Sequence, residues 1–304
     1  SAGADALYRA YLGETRPIER VSAESRRSGY LSCDAAGDRR LIMLVDTHAH
    51  LDQLQDVDVA LRRAQDMEVA AVVAVGTDLA ANERTIRIAE RWKEFVYPAI
   101  GVHPCHLAGL DVAAVEREVR FIEDNLSAAI AVGEVGLDYH KRTLAAVSKE
   151  LQQEAFRRVL SAAATRGLPV LVHSRYAWAD ALRLVHESGV RRVVFHWFTG
   201  FSSVLQAIIA AGFYISATPA SEYHQEHRRA VKAAATERLL LETDTPVWYG
   251  REIRYESRPE DVWRSLRAAA ALRGESEAAL AASTTRAAAQ LFDGIVPSVI
   301  EEDT

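Results

Sequence analysis

The nine residues LVDTHAHLD, Leu44 to Asp52, read as an apolar strand that runs into two histidines one residue apart. Side chains on a strand alternate between faces, so His48 and His50 project to the same side, and Asp46 and Asp52 share their phase if the extended geometry continues. Two imidazoles on one face can ligate a single ion, or they can be two ordinary polar residues. The H-x-H pair alone does not separate these readings.

The eight-strand rhythm around it is more informative. Short apolar runs alternate with helical stretches from Leu41 onward. After the first come VAAVVAVG (69–76), FVYPAIGVHP (95–104), SAAIAVGEVGLD (127–138) and LPVLVHSR (168–175). RRVVFHWF (191–198), GFYISATP (212–219) and RLLLETDTP (238–246) complete the set. They are continuous Val/Ile/Leu runs, as expected for parallel strands buried on both faces. Between them lie amphipathic stretches such as DVALRRAQDM and SKELQQEAFRRVLSAAATRG, the latter stopped by glycine. PEDVWRSLRAAAALRG and SEAALAASTTRAAAQLF add two helices beyond the last strand. The expected fold is α/β, a (β/α)8 TIM-type barrel with extra C-terminal helices and an N-terminal extension. An open doubly wound sheet is the competing architecture, but no G-x-G-x-x-G follows the first strand.

Composition bounds the function. The 304-residue chain is 49% hydrophobic and 26% charged, with a net charge of −6, so it offers no global basic field for nucleic acid. Two cysteines, Cys33 and Cys105, form no disulfide framework, and a reducing, cytoplasmic setting is expected. No apolar run approaches the roughly 18–20 residues of a membrane span, and no signal peptide or membrane association is expected. Residues 1–42 are polar and Arg-rich, apart from a short helical pattern around Ala6 to Leu12. They read as an arm, an upstream extension or residues added to a functional chain that opens at Met43. The expected division is an extension over 1–42, a barrel over 43–296 and a tail over 297–304.

Strand after strand ends in a residue that can bind metal or phosphate. The first gives His48 and His50, the third His103, the fourth Glu134, the fifth His173, the sixth His196 and the eighth Asp244. In a barrel these ends converge on one rim, where active sites lie. Each residue alone has a plain structural reading, as a hydrogen-bonded core histidine or a capping carboxylate. Together, as buried polar groups with no ion or partner, they would be expensive. Four histidines and two carboxylates can hold two divalent ions. His48, His50 and Asp244 suit one and His173 with His196 the other, while Glu134 bridges. The donor set accepts Mg²⁺, Mn²⁺ or Zn²⁺. Two such ions clamp attacking and leaving oxygens and acidify a bound water, whose proton Asp244 would take.

The motifs DTHAHLD, GVHPCH, GEVGLDY, LVHSR, HWFTG and LLLETDTP stand in one order between about Met43 and Phe292. In this the chain resembles the TatD family of metal-dependent hydrolases, within the amidohydrolase-like barrels. The resemblance implies that His48, His50, Glu134, His173, His196 and Asp244 are metal ligands. It implies hydrolysis of nucleic-acid phosphodiesters, commonly as a 3′–5′ exonuclease on single-stranded DNA or DNA ends. A D-aminoacyl-tRNA deacylase or another metal-dependent ester or amide hydrolase is the alternative. A non-catalytic metal-binding scaffold would have lost a ligand, and none of the six is missing. His103 and Arg175 would face the phosphate, a role the family also gives them, and a guanidinium grips two phosphate oxygens at once. Glu242, in phase with Asp244, could orient a ligand histidine from behind, with a structural ion pair as its plain alternative. His140, His224 and His227 read as surface residues. A monomer is expected.

The chain departs from the family pattern in three places. Arg258 precedes Pro259 without the Asn usually paired with it, Ala287 stands where an Asn is frequent, and Tyr176 replaces the usual acid after Arg175. None touches the six ligands.

Overall fold

A computed structural model describes residues 43–295. The proposed extension, its helical pattern near Ala6, Cys33 and the C-terminal tail lie outside the described residues. Eight parallel strands follow one another in sequence order around a single sheet. They are β1 (Leu44–Ala49), β2 (Val69–Val75), β3 (Val96–Ile100), β4 (Ala131–Asp138), β5 (Val170–Arg175), β6 (Val193–Phe195), β7 (Tyr214–Ala217) and β8 (Leu239–Leu241). The chain thus has the expected TIM-type (β/α)8 fold.

Closure of the ring takes place just beyond the regular strands. The Asp244 amide donates to His48 O and the His50 amide to Thr245 O, both at 2.9 Å. Ala49 pairs in parallel with Thr245. Thr47 Oγ1 donates to Leu241 O at 2.9 Å, adding a side-chain stitch to the same joint. The two outer strands of the sequence therefore meet at the residues that carry the first histidines and the last carboxylate.

Valine-rich strands suit this arrangement because β-branched side chains pack well on both faces of a pleated surface. One apolar cluster fills the layer between sheet and helices, with Leu61, Ile88, Ile122, Phe156 and Leu184 from the helices against Val72, Ile100 and Val172. Burying one such side chain contributes about 1.5–3 kcal/mol. Helix ends follow from local sequence. Asp78 caps helix Leu79–Arg91 by accepting from Ala81 N at 2.7 Å. Ser148 caps Lys149–Arg166, which stops at Gly167 in the left-handed region, φ 64°.

A second cluster joins Val45, Val73, Ala99, Leu171 and Leu240 to Ala287 and Leu291 of the last helix, Glu277–Leu291, and to Phe292 just after it. This helix lies across the strand N-termini: Thr285 Oγ1 donates to Met43 O at 2.6 Å, and Leu291 O accepts from Arg192 Nη1 at 3.3 Å. Ala287 is 1% exposed in that packing, so the Asn frequent at this position in the family would bury an amide there. Two short strands, β9 (Trp248–Tyr249) and β10 (Tyr255–Glu256), pair antiparallel in the loop after β8. Among the described residues no helix is long and apolar enough to cross a membrane.

Candidate active site

The C-terminal ends of the strands carry a buried cluster of histidines and carboxylates. His48, His50, His103 and Glu134 are fully buried, as is Asp244, while His173 and His196 are 2% and 3% exposed. Their positions follow from β1 outward. Asp46 accepts from Thr243 N at 2.9 Å and Thr243 Oγ1 at 2.5 Å, locking β1 to the segment after β8. His50 Nδ1 lies 3.0 Å from Val75 O, a carbonyl that can only accept, so that nitrogen carries the proton. In the neutral ring Nε2 is then a bare lone pair, 3.3 Å from His48 Nε2. Two nitrogens each about 2.0–2.1 Å from one tetrahedral Zn²⁺ would be separated by roughly that distance.

Glu134 sits at the centre. Its Oε1 is 2.7 Å from His173 Nδ1, 2.8 Å from His196 Nε2 and 3.7 Å from His103 Nε2. Its Oε2 faces His48 and His50, with Nε2 atoms at 3.6 and 3.5 Å. One carboxylate thus has an oxygen toward each half of the cluster. Gly101 makes room for it: a Cβ at that position would lie 2.6 Å from Glu134 O and 2.8 Å from Glu134 N. On the far side of His196, Glu242 Oε1 is 3.4 Å from Nδ1 and accepts from Trp197 N at 3.2 Å.

Asp244 completes the ring, with Oδ1 3.3 Å from His50 Nε2 and 3.8 Å from His48 Nε2. It and Trp197 take φ values of 51° and 39°, in the left-handed region that residues with a Cβ seldom occupy. Both positions immediately adjoin or form the cluster, and both are tied down by the backbone hydrogen bonds already described. Strain held by its surroundings in this way is typical of functional sites.

The imidazoles and carboxylates shift one another's protonation. Burial works to raise the Glu134 and Asp244 carboxyls, but the surrounding imidazoles prevail and hold both below the ordinary carboxylate range. Burial likewise works to lower His196 and His50. Glu134 and Glu242 keep His196 well above the usual imidazole value, and Asp244 with Glu134 raises His50 to about 10. Burial lowers His48, with His196 adding to the effect, and drives His103 well down.

The residues fit a metal. Both Asp244 carboxylate oxygens and Glu134 Oε2 are buried and accept no hydrogen bond, although imidazole nitrogens stand only 3.3–3.8 Å away. Buried carboxylate oxygens in that condition are costly unless a cation joins them. Among the described residues three groups bring their ligand atoms within 4.8 Å of one another: His48–His50–Asp244, His103–Glu134–His173 and His48–His196–Glu242. The first is the trio expected for one ion. His173 and His196, expected to share the other, both contact Glu134 Oε1. His103 and Glu242 join them more closely than their expected positions around the ligands implied.

Arg175 ends β5, half-buried at the mouth, and its carbonyl accepts from Tyr139 N at 2.8 Å. The structure corrects one expectation: His227 is not a surface residue but fully buried. Its Nε2 is 3.1 Å from Thr218 N and its Nδ1 3.2 Å from Phe198 O, and burial lowers its pKa to about 3. Asp138 was passed over by the sequence reading. It is fully buried, accepts from His140 N at 2.7 Å and faces His173 Nε2 at 3.8 Å. Its signal was present, because Glu134 and Asp138 share strand phase on β4.

Comparison with known proteins fits this geometry. The model of the TatD related DNase family matches residues 45–293. The human protein named deoxyribonuclease TATDN3 is 33% identical over 264 residues, covering 82% of this chain and 94% of the relative. The protein named 3′-5′ ssDNA/RNA exonuclease TatD from Erwinia tasmaniensis is 28% identical over 249 residues, 79% of this chain and 94% of the relative. The crystal structure of the TatD homologue YJJV from Escherichia coli superposes with a TM-score of 0.74 at 26% identity, covering 84% of this chain and 98% of that one.

Proposed function

This chain belongs to the TatD related DNase family, and on that footing we propose that it is a divalent-metal-dependent phosphodiesterase, acting as a 3′–5′ exonuclease on single-stranded DNA. The observation that carries the reading is the convergence of four buried imidazoles and two buried carboxylates from five strand ends, with carboxylate oxygens that accept no hydrogen bond. The Erwinia tasmaniensis relative, named for ssDNA and RNA, supports the substrate and the polarity.

His48, His50 and Asp244 would hold one ion, His173 and His196 a second, and Glu134 would bridge. Two divalent ions, Mg²⁺, Mn²⁺ or Zn²⁺, would supply an activated water and a clamp on the phosphate oxygens. Asp244, whose buried oxygens border the space such ions and their water would occupy, would take the proton of the attacking water. Glu242 fixes the His196 ring through Nδ1, 3.4 Å away, leaving Nε2 directed at the centre. His103 and Arg175 would grip the scissile phosphate from the rim. Because these groups are concentrated, the acidic chain needs no broad basic groove to engage a strand end.

The test is digestion of 5′-labelled single-stranded DNA with added Mg²⁺, Mn²⁺ or Zn²⁺. A ladder shortening from the 3′ end, abolished by EDTA and by Asp244→Asn, is the expected result. Protein shown to hold two ions yet inert with each of them on DNA would overturn the reading, and D-aminoacyl-tRNA would then be the substrate to try.

A further inference from the structure

Beside the metal-ligand cluster, the β4–β6 sector of the rim carries a run of aromatic rings that the chemistry above does not use. His140 follows β4 by two residues, Tyr176 follows β5 directly, Trp178 opens the next helix, and Phe201 stands in the loop after β6. The rings touch in order. His140 and Tyr176 are stacked at 5.9 Å and 26°, Tyr176 and Trp178 lie 5.6 Å apart, and Trp178 meets Phe201 edge-on at 5.2 Å. Tyr176 is 59% exposed and Phe201 68%, among the few large side chains left open to solvent in the described residues. Rings as exposed as Tyr176 and Phe201 are not core packing; His140 is half-buried, and Trp178, half-buried against the core, anchors the run and sets it apart from scattered surface apolar residues.

Two features hold the run in place. Tyr176 takes φ 56°, a left-handed conformation that a tyrosine seldom adopts, which turns the chain sharply between Arg175 and the helix. Gly200 lets the backbone press on Trp178, since a Cβ there would fall 2.6 Å from the indole Cγ. Cations border the run. Arg175 immediately precedes Tyr176, and Lys141 and Arg142 are exposed on the turn that His140 caps. All three bear on the His140 ring, adding to the desolvation that lowers its pKa.

We propose that His140, Tyr176, Trp178 and Phe201 form a stacking strip for the unpaired bases of a single-stranded nucleic acid, upstream of the nucleotide whose phosphate sits at the metal-ligand cluster. The occupant follows from the combination. Flat faces accept any base and flanking cations meet its phosphates, the pairing by which proteins bind single strands without reading sequence. Tyr176 and Phe201 follow His173 and His196 by three and five residues, which sets the strip beside the cluster that would hold the phosphate. Its direction rests on the phosphodiesterase reading, while its binding does not.

The measurement is fluorescence anisotropy with a 5′-fluorescein octathymidylate, using metal-loaded Asp244→Asn protein so that the probe stays intact. Adding Tyr176→Ala and Phe201→Ala is expected to raise Kd roughly 10- to 100-fold, from the stacking energy lost per base. An abasic octamer of equal charge should bind the Asp244→Asn protein as weakly as octathymidylate binds the triple variant. Tyr176→Phe should retain affinity, and an unchanged circular dichroism spectrum and Tm in the two-alanine protein remove loss of fold as an explanation. Equal Kd values with and without the two alanines, equally tight binding of the abasic strand, or no binding at all would each overturn the strip. Strip-dependent binding in a protein whose unsubstituted form leaves DNA uncut would overturn the phosphodiesterase reading and leave the strip standing. Cleavage of the octamer by Tyr176→Ala/Phe201→Ala protein with unchanged KM would do the reverse.

Discussion

Glu242 Oε1 stands 3.4 Å from His196 Nδ1, on the opposite side of the imidazole from Glu134, whose Oε1 is 2.8 Å from Nε2. One histidine is thus held between two buried carboxylates, one at the centre of the cluster and one behind it. Replacing a carboxylate that orients a metal-ligating histidine costs about 10- to 100-fold in metal affinity or activity. Glu242→Gln is therefore expected to lower kcat by roughly that factor, with an unchanged circular dichroism spectrum. Steady-state kinetics across a titration of the metal would separate lost affinity from lost turnover. Wild-type behaviour in both would remove Glu242 from the role.

Gly101 gives a steric test of the central carboxylate. An added Cβ meets the backbone of Glu134 and Gly133 within 2.6–2.8 Å, and backbone on neighbouring strands has little room to retreat. Gly101→Ala should cost about 1–3 kcal/mol of stability, as overpacking does. Activity should fall further than that loss explains, because Glu134 moves with its strand. Thermal unfolding and kcat measured on one preparation would decide this.

Removing the ions should loosen the protein as well as silence it. A ligand at 100 times its Kd stabilises the folded state by about 2.7 kcal/mol. EDTA is expected to lower Tm, with recovery on adding back excess Mg²⁺, Mn²⁺ or Zn²⁺. In Asp244→Asn the shift should shrink. An identical shift in that variant would place the ions elsewhere.

Glu260 supplies a pH dependence far from the cluster. Burial, reinforced by Asp261, pushes its carboxyl up from 4.5 to about 7, despite Arg63 Nε at 2.9 Å from Oε1. A folded value above the unfolded one means that the protonated form is favoured by folding. The contribution is complete below pH 4.5 and is lost as pH rises through about 7. Glu260→Gln should therefore gain stability relative to wild type between those limits, by order 1–3 kcal/mol at pH 8. Urea unfolding of both proteins at pH 5 and pH 8 measures the difference. A constant gap between them would contradict the assignment.

Much of this architecture was legible in the sequence because parallel strands buried on both faces leave continuous apolar runs, and the polar residues that end them stand out. His48, His50, Glu134, His173, His196 and Asp244 were selected by that contrast. Contacts that depend on loop path were not legible. In the sequence His103 stands as the end of a strand, but β3 stops at Ile100, and His103 reaches Glu134 from the loop beyond. His227 was read as a surface residue because its helix, QEHRRAVKA, is polar overall. Its buried side nonetheless follows helical spacing through His227, Ala230 and Val231. The grouping of histidines around each carboxylate depends on differences of about an ångström, which period and phase do not resolve.

The joint between β1 and β8 has a consequence for the protein's synthesis. His48 and Asp244 are bonded through their backbones at that joint, yet almost two hundred residues of chain separate them. A growing polypeptide releases the first histidines early and the last carboxylate near the end of translation, so no chain that ends before Asp244 carries the whole cluster. The buried cluster is therefore completed only when residues 239–246 have emerged and docked against β1.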